Sequence, residues 1–220
     1  LSTDPGFATS ETGPRLSERL GPRQLDVAEG VLASRGMPLS AADRMEPWLL
    51  VSMIAVPQCE REMIAAGHPV LDDVIVERAR EIGVPVDGLE TYEETFAAFD
   101  ALSEAEMTSL LVDGFAAVPR EEDLRRTLES LYHAGEIAAI LEFNLWFSER
   151  AGAVADARIG AAGLERALIA WRNRTWMERL VPEIEQGGAF AAFGALHLAG
   201  QTGIVRMLRE AGFRVRRLAR

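Results

Sequence analysis

The 220-residue sequence contains no lysine, and arginine supplies all 23 of its basic residues. Without lysine the chain cannot form the G-x-x-x-x-G-K-[ST] phosphate-binding loop, and it cannot use a lysine for Schiff-base catalysis or for attaching pyridoxal phosphate. Codon bias explains the excess of arginine more simply than selection for function. The absence of lysine therefore excludes three classes of mechanism without pointing to another.

Cysteine and long apolar runs are also scarce. Cys59 is the only cysteine, so the chain cannot form an internal disulfide or a multi-cysteine zinc site, and we expect Cys59 to be a small buried residue. No apolar run reaches the roughly 18 to 20 residues that cross a bilayer. The 34 acidic residues give a net charge of -11, which argues against a nucleic-acid partner bound through neutralised phosphates.

Helical spacing of apolar residues dominates the chain. An apolar helix is predicted over 48–64 with an interruption at Pro57, because proline removes a backbone donor. The sequence predicts two capping boxes, one of Thr91 with Glu94 and one of Ser103 with Glu106. In a capping box, the side chain of each of the two residues accepts a hydrogen bond from the backbone N–H of the other at the start of a helix.

Three short segments show strand-like patterns instead. They lie at 84–89, 189–196 and 213–218, and the second is a nearly continuous apolar run typical of a strand buried on both faces. We therefore predict an α/β (α+β) fold that is predominantly helical, with a small, largely parallel or mixed sheet. The chain is expected to form a single domain over 1–220, with a mainly helical portion at 100–185.

His197 is the first candidate for chemistry, because it ends the predicted strand and precedes a glycine-containing loop that opens a helix. Ligands in open α/β sheets bind off the carboxyl ends of strands, and an imidazole there can bind a metal or shuttle protons. On position alone, a histidine at a strand end is more often a hydrogen-bonded core residue. Glu90 ends the other predicted strand, so the two side chains could converge on zinc, manganese or iron. An equally good interpretation is that Glu90 complements the positive end of the following helix.

Arg172 and Asn173 form a second candidate, since Trp171 and Trp176 flank these polar residues within an apolar helical stretch. A buried arginine needs an anionic partner, which could be Glu90, a substrate carboxylate or a surface acid. A solvated helix face is the commoner explanation for such a cluster. The other histidines, His68 and His133, fit structural or solvated positions better than catalytic ones.

The run Gly-Ala-Leu-His-Leu-Ala-Gly at 194–200 resembles the C-terminal G-x-x-H motif of TraB/GumN proteins. The resemblance extends upstream through segments that occur in the family's usual order, namely Pro47-Trp48, Leu71-Asp72, Gly88-Leu89-Glu90 and Arg172-Asn173-Arg174-Thr175-Trp176. It spans approximately residue 15 to the C-terminus. This ordered combination is far more specific than any single motif.

The resemblance implies a fold related to the haem-binding ChaN and erythromycin-esterase groups. It also implies a metal-dependent hydrolase with peptidase-like activity, as in the similar Tiki proteins. Family members carry another G-x-x-H near the N-terminus, on an early strand, and we expect this chain to begin just after it and to lack those strands. The resemblance slightly favours a periplasmic or extracytoplasmic location over a cytoplasmic one.

Carried over by position, His197 matches the second motif histidine, Glu90 the internal glutamate and Arg172 the later arginine. The resemblance implies that these three residues are catalytic and that His197 and Glu90 bind a divalent metal, Mn, Co, Zn or Fe. A peptide or small-molecule substrate would be contacted by Asn173, Gly194 and Gly200. The alternative is a non-catalytic module of the same fold that binds a peptide or a small ligand.

Overall fold

The computed structural model of the chain describes residues 8–9, 13–151 and 156–218, and these residues are mainly helical. In chain order the α-helices are α1 Leu16–Arg19, α2 Pro22–Ser34, α3 Leu39–Ala42, α4 Pro47–Ala55, α5 Gln58–Ala65, α6 Leu71–Glu81, α7 Tyr92–Asp100, α8 Glu104–Ala117, α9 Glu121–Ala134, α10 Ile137–Ala151, α11 Arg158–Gly163, α12 Arg172–Gln186 and α13 Ile204–Glu210. A π-helical segment, Leu164–Trp171, leads directly into α12, and short 3-10 turns lie at Val118–Arg120 and Ala195–His197.

The chain divides into two compact units. The first consists of Leu1–Gln58 with Leu102–Leu164, and the second of Cys59–Ala101 with Glu165–Arg220. All of the candidate site residues, from Glu90 to Gly200, fall within the second unit. The fold of that unit is therefore what positions the site.

The first unit is built around α8, which packs against α2, α4 and α11. Its buried apolar core is drawn from several helices and contains Leu16, Leu20, Ala28, Val31, Leu32, Ala42, Leu50, Ile54, Leu111, Val112 and Phe115. The predicted capping box at the start of α8 is confirmed, because the Ser103 hydroxyl accepts from the backbone N–H of Glu106 and the Glu106 carboxylate accepts from that of Ser103. Helix α8 thus begins where its sequence predicts.

The second unit has a smaller core, in which Trp176 and Leu180 of α12 pack with Ile204 of α13. Partly buried apolar residues surround these three, namely Leu89, Met177, Ile184, Phe193, Leu198 and Leu208. The predicted capping box of α7 is also confirmed: the Thr91 hydroxyl accepts from Glu94 N–H, and the Glu94 carboxylate accepts from Thr91 N–H. The core contacts of Leu89 and Leu198 hold the segment before α7 and the segment before α13 against α12.

The predicted α/β (α+β) fold with a small parallel or mixed sheet is wrong, because residues 8–9, 13–151 and 156–218 contain no sheet. Their only β-type pairing is an isolated antiparallel bridge between Thr9 and Met45. An alternating or apolar sequence pattern shows which residues would share one face of a strand. The strand itself forms only when a neighbouring strand pairs with its backbone N–H and C=O groups. None of the segments 84–89, 189–196 and 213–218 has such a neighbour within the described chain.

Burial reveals the same error in the segment predicted to be buried on both faces. Residues 189–192 are exposed, Phe190 retains 80% of its accessible surface, and the last residues before His197 form a 3-10 turn. An unbroken apolar run does not by itself distinguish a buried strand from an irregular segment. His197 therefore follows a turn and not a strand.

Two further expectations concern the 48–64 stretch. The predicted interruption at Pro57 is confirmed, since α4 ends at Ala55 and α5 begins at Gln58. The expectation that Cys59 is buried is wrong, because Cys59 is exposed near the start of α5, a helix with no buried residue. Among the described residues, no helix combines the length and the apolar character needed to span a membrane.

Candidate functional site

Helix α12 organises the candidate site through two of its faces. Arg172, Trp176 and Arg179 recur at the spacing that places side chains on one helix face. The segment before and at the start of α7 lies along this face. Asn173 is turned towards the core with Trp176 and is completely buried.

A bidentate ion pair joins this helix face to Glu90. Arg172 donates from Nε to Oε2 of Glu90 at 3.0 Å and from Nη2 to Oε1 at 2.5 Å. The two side chains are only 21% and 16% exposed. Of the partners that the sequence left open for Arg172, the structure places Glu90 against it.

Two further donors complete the hydrogen bonding of Glu90. Trp176 donates from Nε1 to Oε2 at 2.9 Å. The Thr95 hydroxyl lies 3.1 Å from Oε1 and also 3.1 Å from the carbonyl oxygen of Thr91, so these two acceptors share its one proton. Two donor groups thus face each carboxylate oxygen, and both oxygens of Glu90 are engaged by groups of the protein itself.

This environment determines the charge of Glu90. Desolvation by burial would raise the pKa of its carboxyl, but hydrogen bonds from Arg172 and Trp176 and the charge of Arg172 outweigh desolvation and lower the pKa below its ordinary value. Glu90 is consequently an anion at neutral pH. Its low basicity makes it a weak proton acceptor in this arrangement.

His197 also packs against Trp176. Its ring centroid is 4.4 Å from that of Trp176, only 7% of the residue is exposed, and Nδ1 lies 2.7 Å from Oδ1 of Asn173. Burial, and after it the nearby charge of Arg172, lower the pKa of His197 to about 4, and the charge of Glu90 opposes this shift without cancelling it. The imidazole is therefore neutral at pH 7, and its Nε2 has no hydrogen-bond partner in the described part of the chain.

Asn173 connects α12 to the loop that follows His197. Its Nδ2 donates to the backbone carbonyls of His197 at 3.1 Å and of Thr202 at 2.8 Å. The Thr202 hydroxyl in turn donates to Glu165 at 2.6 Å. The structure thus places Asn173, predicted to contact substrate, at a buried position where protein groups engage both ends of its amide.

The glycines of the motif have different steric roles. Gly200 has φ +83°, a left-handed conformation that suits glycine, whereas Gly194 has an ordinary φ of -55° and lies next to the His197 ring. Gly203 is the most constrained, since a Cβ there would lie 2.3 Å from the carbonyl oxygen of Ala199. A side chain at this position would therefore force the loop between His197 and α13 to shift.

A second ion pair, missed by the sequence analysis, borders the site. Arg179 donates to both carboxylate oxygens of Glu94, at 2.7 and 2.6 Å, and to the backbone carbonyl of Leu89 at 2.6 Å. These hydrogen bonds lower the pKa of Glu94 to about 2. The recurrence of Arg172, Trp176 and Arg179 on one helix face was the signal that could have predicted this pair.

The described residues fit a metal ion only in part. No group of three or more His, Cys, Asp and Glu side chains within 8–9, 13–151 and 156–218 is arranged to hold one. Glu90 would have to give up hydrogen bonds to become a ligand, whereas Nε2 of His197 is a neutral nitrogen donor of the kind that zinc, manganese and iron accept. Ligation by His197 together with Glu90 stays a prediction.

Comparison with known proteins tests the resemblance seen in the sequence. The sequence model of the TraB/PrgY/gumN family matches residues 2–217. No curated protein and no solved structure gives a significant match. Because the family match includes every candidate site residue and almost the whole sequence, the chain belongs to the TraB/PrgY/gumN family.

Proposed function

We propose that this chain acts in a metal-dependent hydrolase with peptidase-like activity, and that His197 binds the metal through Nε2. The observation that carries the proposal is the state of the imidazole: it is buried and neutral, and Nδ1 is engaged by Asn173 while Nε2 is not. Metal-bound histidines typically have the other ring nitrogen held in this way by an oxygen acceptor.

The low pKa of His197 supports a ligand role better than a role as general base. A general base is most effective when its pKa lies near the working pH, and a pKa of about 4 is far below neutrality. For a metal ligand the same shift is favourable, because protons do not compete for the nitrogen at pH 7. A divalent metal bound there would lower the pKa of a bound water towards neutrality and so supply the nucleophile.

Arg172 would stabilise the negative charge that develops on the carbonyl oxygen of a substrate amide. Glu90 holds the edge of its guanidinium formed by Nε and Nη2, and the Trp176 ring lies against the guanidinium with its centroid 4.8 Å from Cζ. Only Nη1 is left with a weak contact, to the carbonyl of Leu168 at 3.5 Å. A guanidinium held in advance costs no reorganisation when charge develops. Glu90 thus acts in this proposal by orienting Arg172.

Metal content and peptidase activity of the His197→Ala, Arg172→Ala and Glu90→Ala variants test the proposal. We expect His197→Ala to bind the metal at least about 10- to 100-fold more weakly, since loss of a residue that only supports a ligand already has an effect of this size. We expect Arg172→Ala to keep its metal but to lose turnover. His133→Ala is the matched control, since His133 is exposed on α9. Unchanged metal content and turnover in His197→Ala would contradict the proposal.

The alternative function is a non-catalytic module that binds a peptide or small ligand. It is favoured by the engaged oxygens and the low pKa of Glu90, which leave this carboxylate no free oxygen for a metal or a proton. Ligand affinity that persists in a metal chelator, together with no hydrolysis when Mn²⁺, Co²⁺, Zn²⁺ or Fe²⁺ is added, would favour the binding module.

A further inference from the structure

We infer that Asn173 is a positioning residue that fixes the neutral ring of His197 in the tautomer with its proton on Nδ1. This tautomer leaves the lone pair on Nε2. Only the role of Nε2 as a metal ligand rests on the proposed function. The tautomer itself follows from hydrogen bonds between protein atoms.

The first step is the orientation of the Asn173 amide. Two carbonyl oxygens, of His197 and Thr202, lie 3.1 and 2.8 Å from Nδ2, and a carbonyl oxygen can only accept. The NH₂ group has two protons, one for each carbonyl. The reversed amide would place Oδ1 against both carbonyls and lose both hydrogen bonds. The nitrogen must therefore face the carbonyls.

The second step concerns the histidine ring. With Nδ2 committed, Oδ1 of Asn173 is the atom that faces Nδ1 of His197, at 2.7 Å. Oδ1 has no proton, so a hydrogen bond at this distance requires the proton to be on Nδ1. Asn173 is 0% exposed and His197 is 7% exposed, which makes replacement of either partner by solvent costly. A neutral ring with a proton on Nδ1 has none on Nε2.

The same amide also links the tautomer to the closed loop. The carbonyls that orient Asn173 belong to the two ends of the 197–202 segment, and Glu165 anchors Thr202 through its hydroxyl. The crowding of Gly203 against Ala199 keeps this segment compact. Asn173 is thus engaged at both ends of its amide, which suits a positioning role.

The experiment is tautomer determination by two-bond ¹H–¹⁵N correlation NMR on metal-free protein labelled in its histidine rings, at about pH 9, well above the ordinary histidine pKa of about 6.5. The chain has only three histidines, and exposed His68 reports the tautomer balance of a solvated ring. We expect His197 to show a proton on Nδ1, opposite to the Nε2–H form that solvated rings favour. A proton on Nε2 in the unsubstituted protein overturns the inference, even if no variant folds.

Two substitutions separate the effect of Asn173 on the His197 tautomer from its hydrogen bonds to the 197–202 loop. Asn173→Asp keeps an oxygen that accepts from Nδ1 but cannot donate to the carbonyls, so the proton is expected to stay on Nδ1; Asn173→Ala removes the acceptor, and the ring should shift to Nε2–H. Asn144→Ala, at the only other asparagine, is the matched control and should leave the spectrum of His197 unchanged. An Nδ1 proton that survives in Asn173→Ala, or that is lost in Asn173→Asp, overturns the inference.

Metal titration of the same samples distinguishes this inference from the proposed function. An Nδ1 proton combined with no binding of Zn²⁺ or Mn²⁺ supports the role of Asn173 and contradicts the metal site. An Nε2 proton combined with tight metal binding contradicts the role of Asn173 and leaves the metal site standing.

Discussion

Removal of the Glu90 carboxylate should destabilise the second unit and should do so through Arg172. In Glu90→Ala the guanidinium of Arg172 loses two charge-assisted hydrogen bonds, and Trp176 and Thr95 each lose an acceptor. Breaking a buried pair costs about 3–5 kcal/mol, and the residual exposure of 21% and 16% allows some rehydration. We therefore expect a loss of about 2–4 kcal/mol in the free energy of unfolding.

The assay is urea unfolding of Glu90→Ala, Arg172→Ala and the double variant, followed by tryptophan fluorescence and by far-UV circular dichroism. Coincident transitions from the two probes would justify a two-state treatment. The double-mutant cycle cancels the packing that Arg172→Ala removes from Trp176 and isolates the pair. We expect a coupling free energy of about 1–3 kcal/mol between Glu90 and Arg172.

Arg78 and Glu81 provide the matched control, because they form an ion pair at 3.0 Å with side chains that are 69% and 65% exposed. Solvent weakens such a pair, so its coupling should be below about 0.5 kcal/mol. A Glu90–Arg172 coupling no larger than that of the control would refute the reasoning that partial burial and four hydrogen bonds make this carboxylate a structural anchor.

Two further predictions concern other positions. Burial raises the pKa of Asp113 to about 6, above the ordinary value of about 3.9, so the folded chain binds this proton more tightly than the unfolded chain. The free energy of unfolding should therefore fall by about 1–3 kcal/mol as the pH rises from about 4 to 7. The urea midpoint of Asp113→Asn should depend less on pH than that of the unsubstituted chain, and an equal pH dependence in the two proteins would contradict the raised pKa of Asp113. Gly203→Ala should cost about 1–3 kcal/mol, because its Cβ would overlap the carbonyl of Ala199. Gly30→Ala, in open space on α2, should instead be neutral or stabilising, and equal thermal midpoints for these two variants would contradict the steric argument.

Local features of the fold could be predicted from the sequence, because they depend on residues close together in the chain. The capping boxes of Thr91 with Glu94 and of Ser103 with Glu106 are present as predicted, and the helix break at Pro57 is where proline requires it. The predicted sheet is wrong because a strand depends on a distant partner, and periodicity does not reveal whether that partner exists. Residues 189–196 have the composition of a buried strand, yet residues 189–192 are exposed and none of the eight is fully buried.

The candidate site could be predicted in part for the same reason. The residue types and the family motif identified Glu90, Arg172 and His197, and the sequence left open whether Glu90 and His197 converge through neighbouring strands. In the structure Trp176 of α12 contacts both Glu90 and His197. Arg172 and Trp176, which donate to the carboxylate of Glu90, lie 82 and 86 residues away in the sequence, and these contacts exist only after the chain has folded.

The most direct test of the central claim is a calorimetric titration of Zn²⁺ and Mn²⁺ into metal-free protein, comparing the unsubstituted chain with His197→Ala and with the His133→Ala control. If Nε2 of His197 is a metal ligand, the unsubstituted chain and His133→Ala bind with the same Kd, and His197→Ala binds at least about 10- to 100-fold more weakly. The same Kd in all three proteins would contradict the claim.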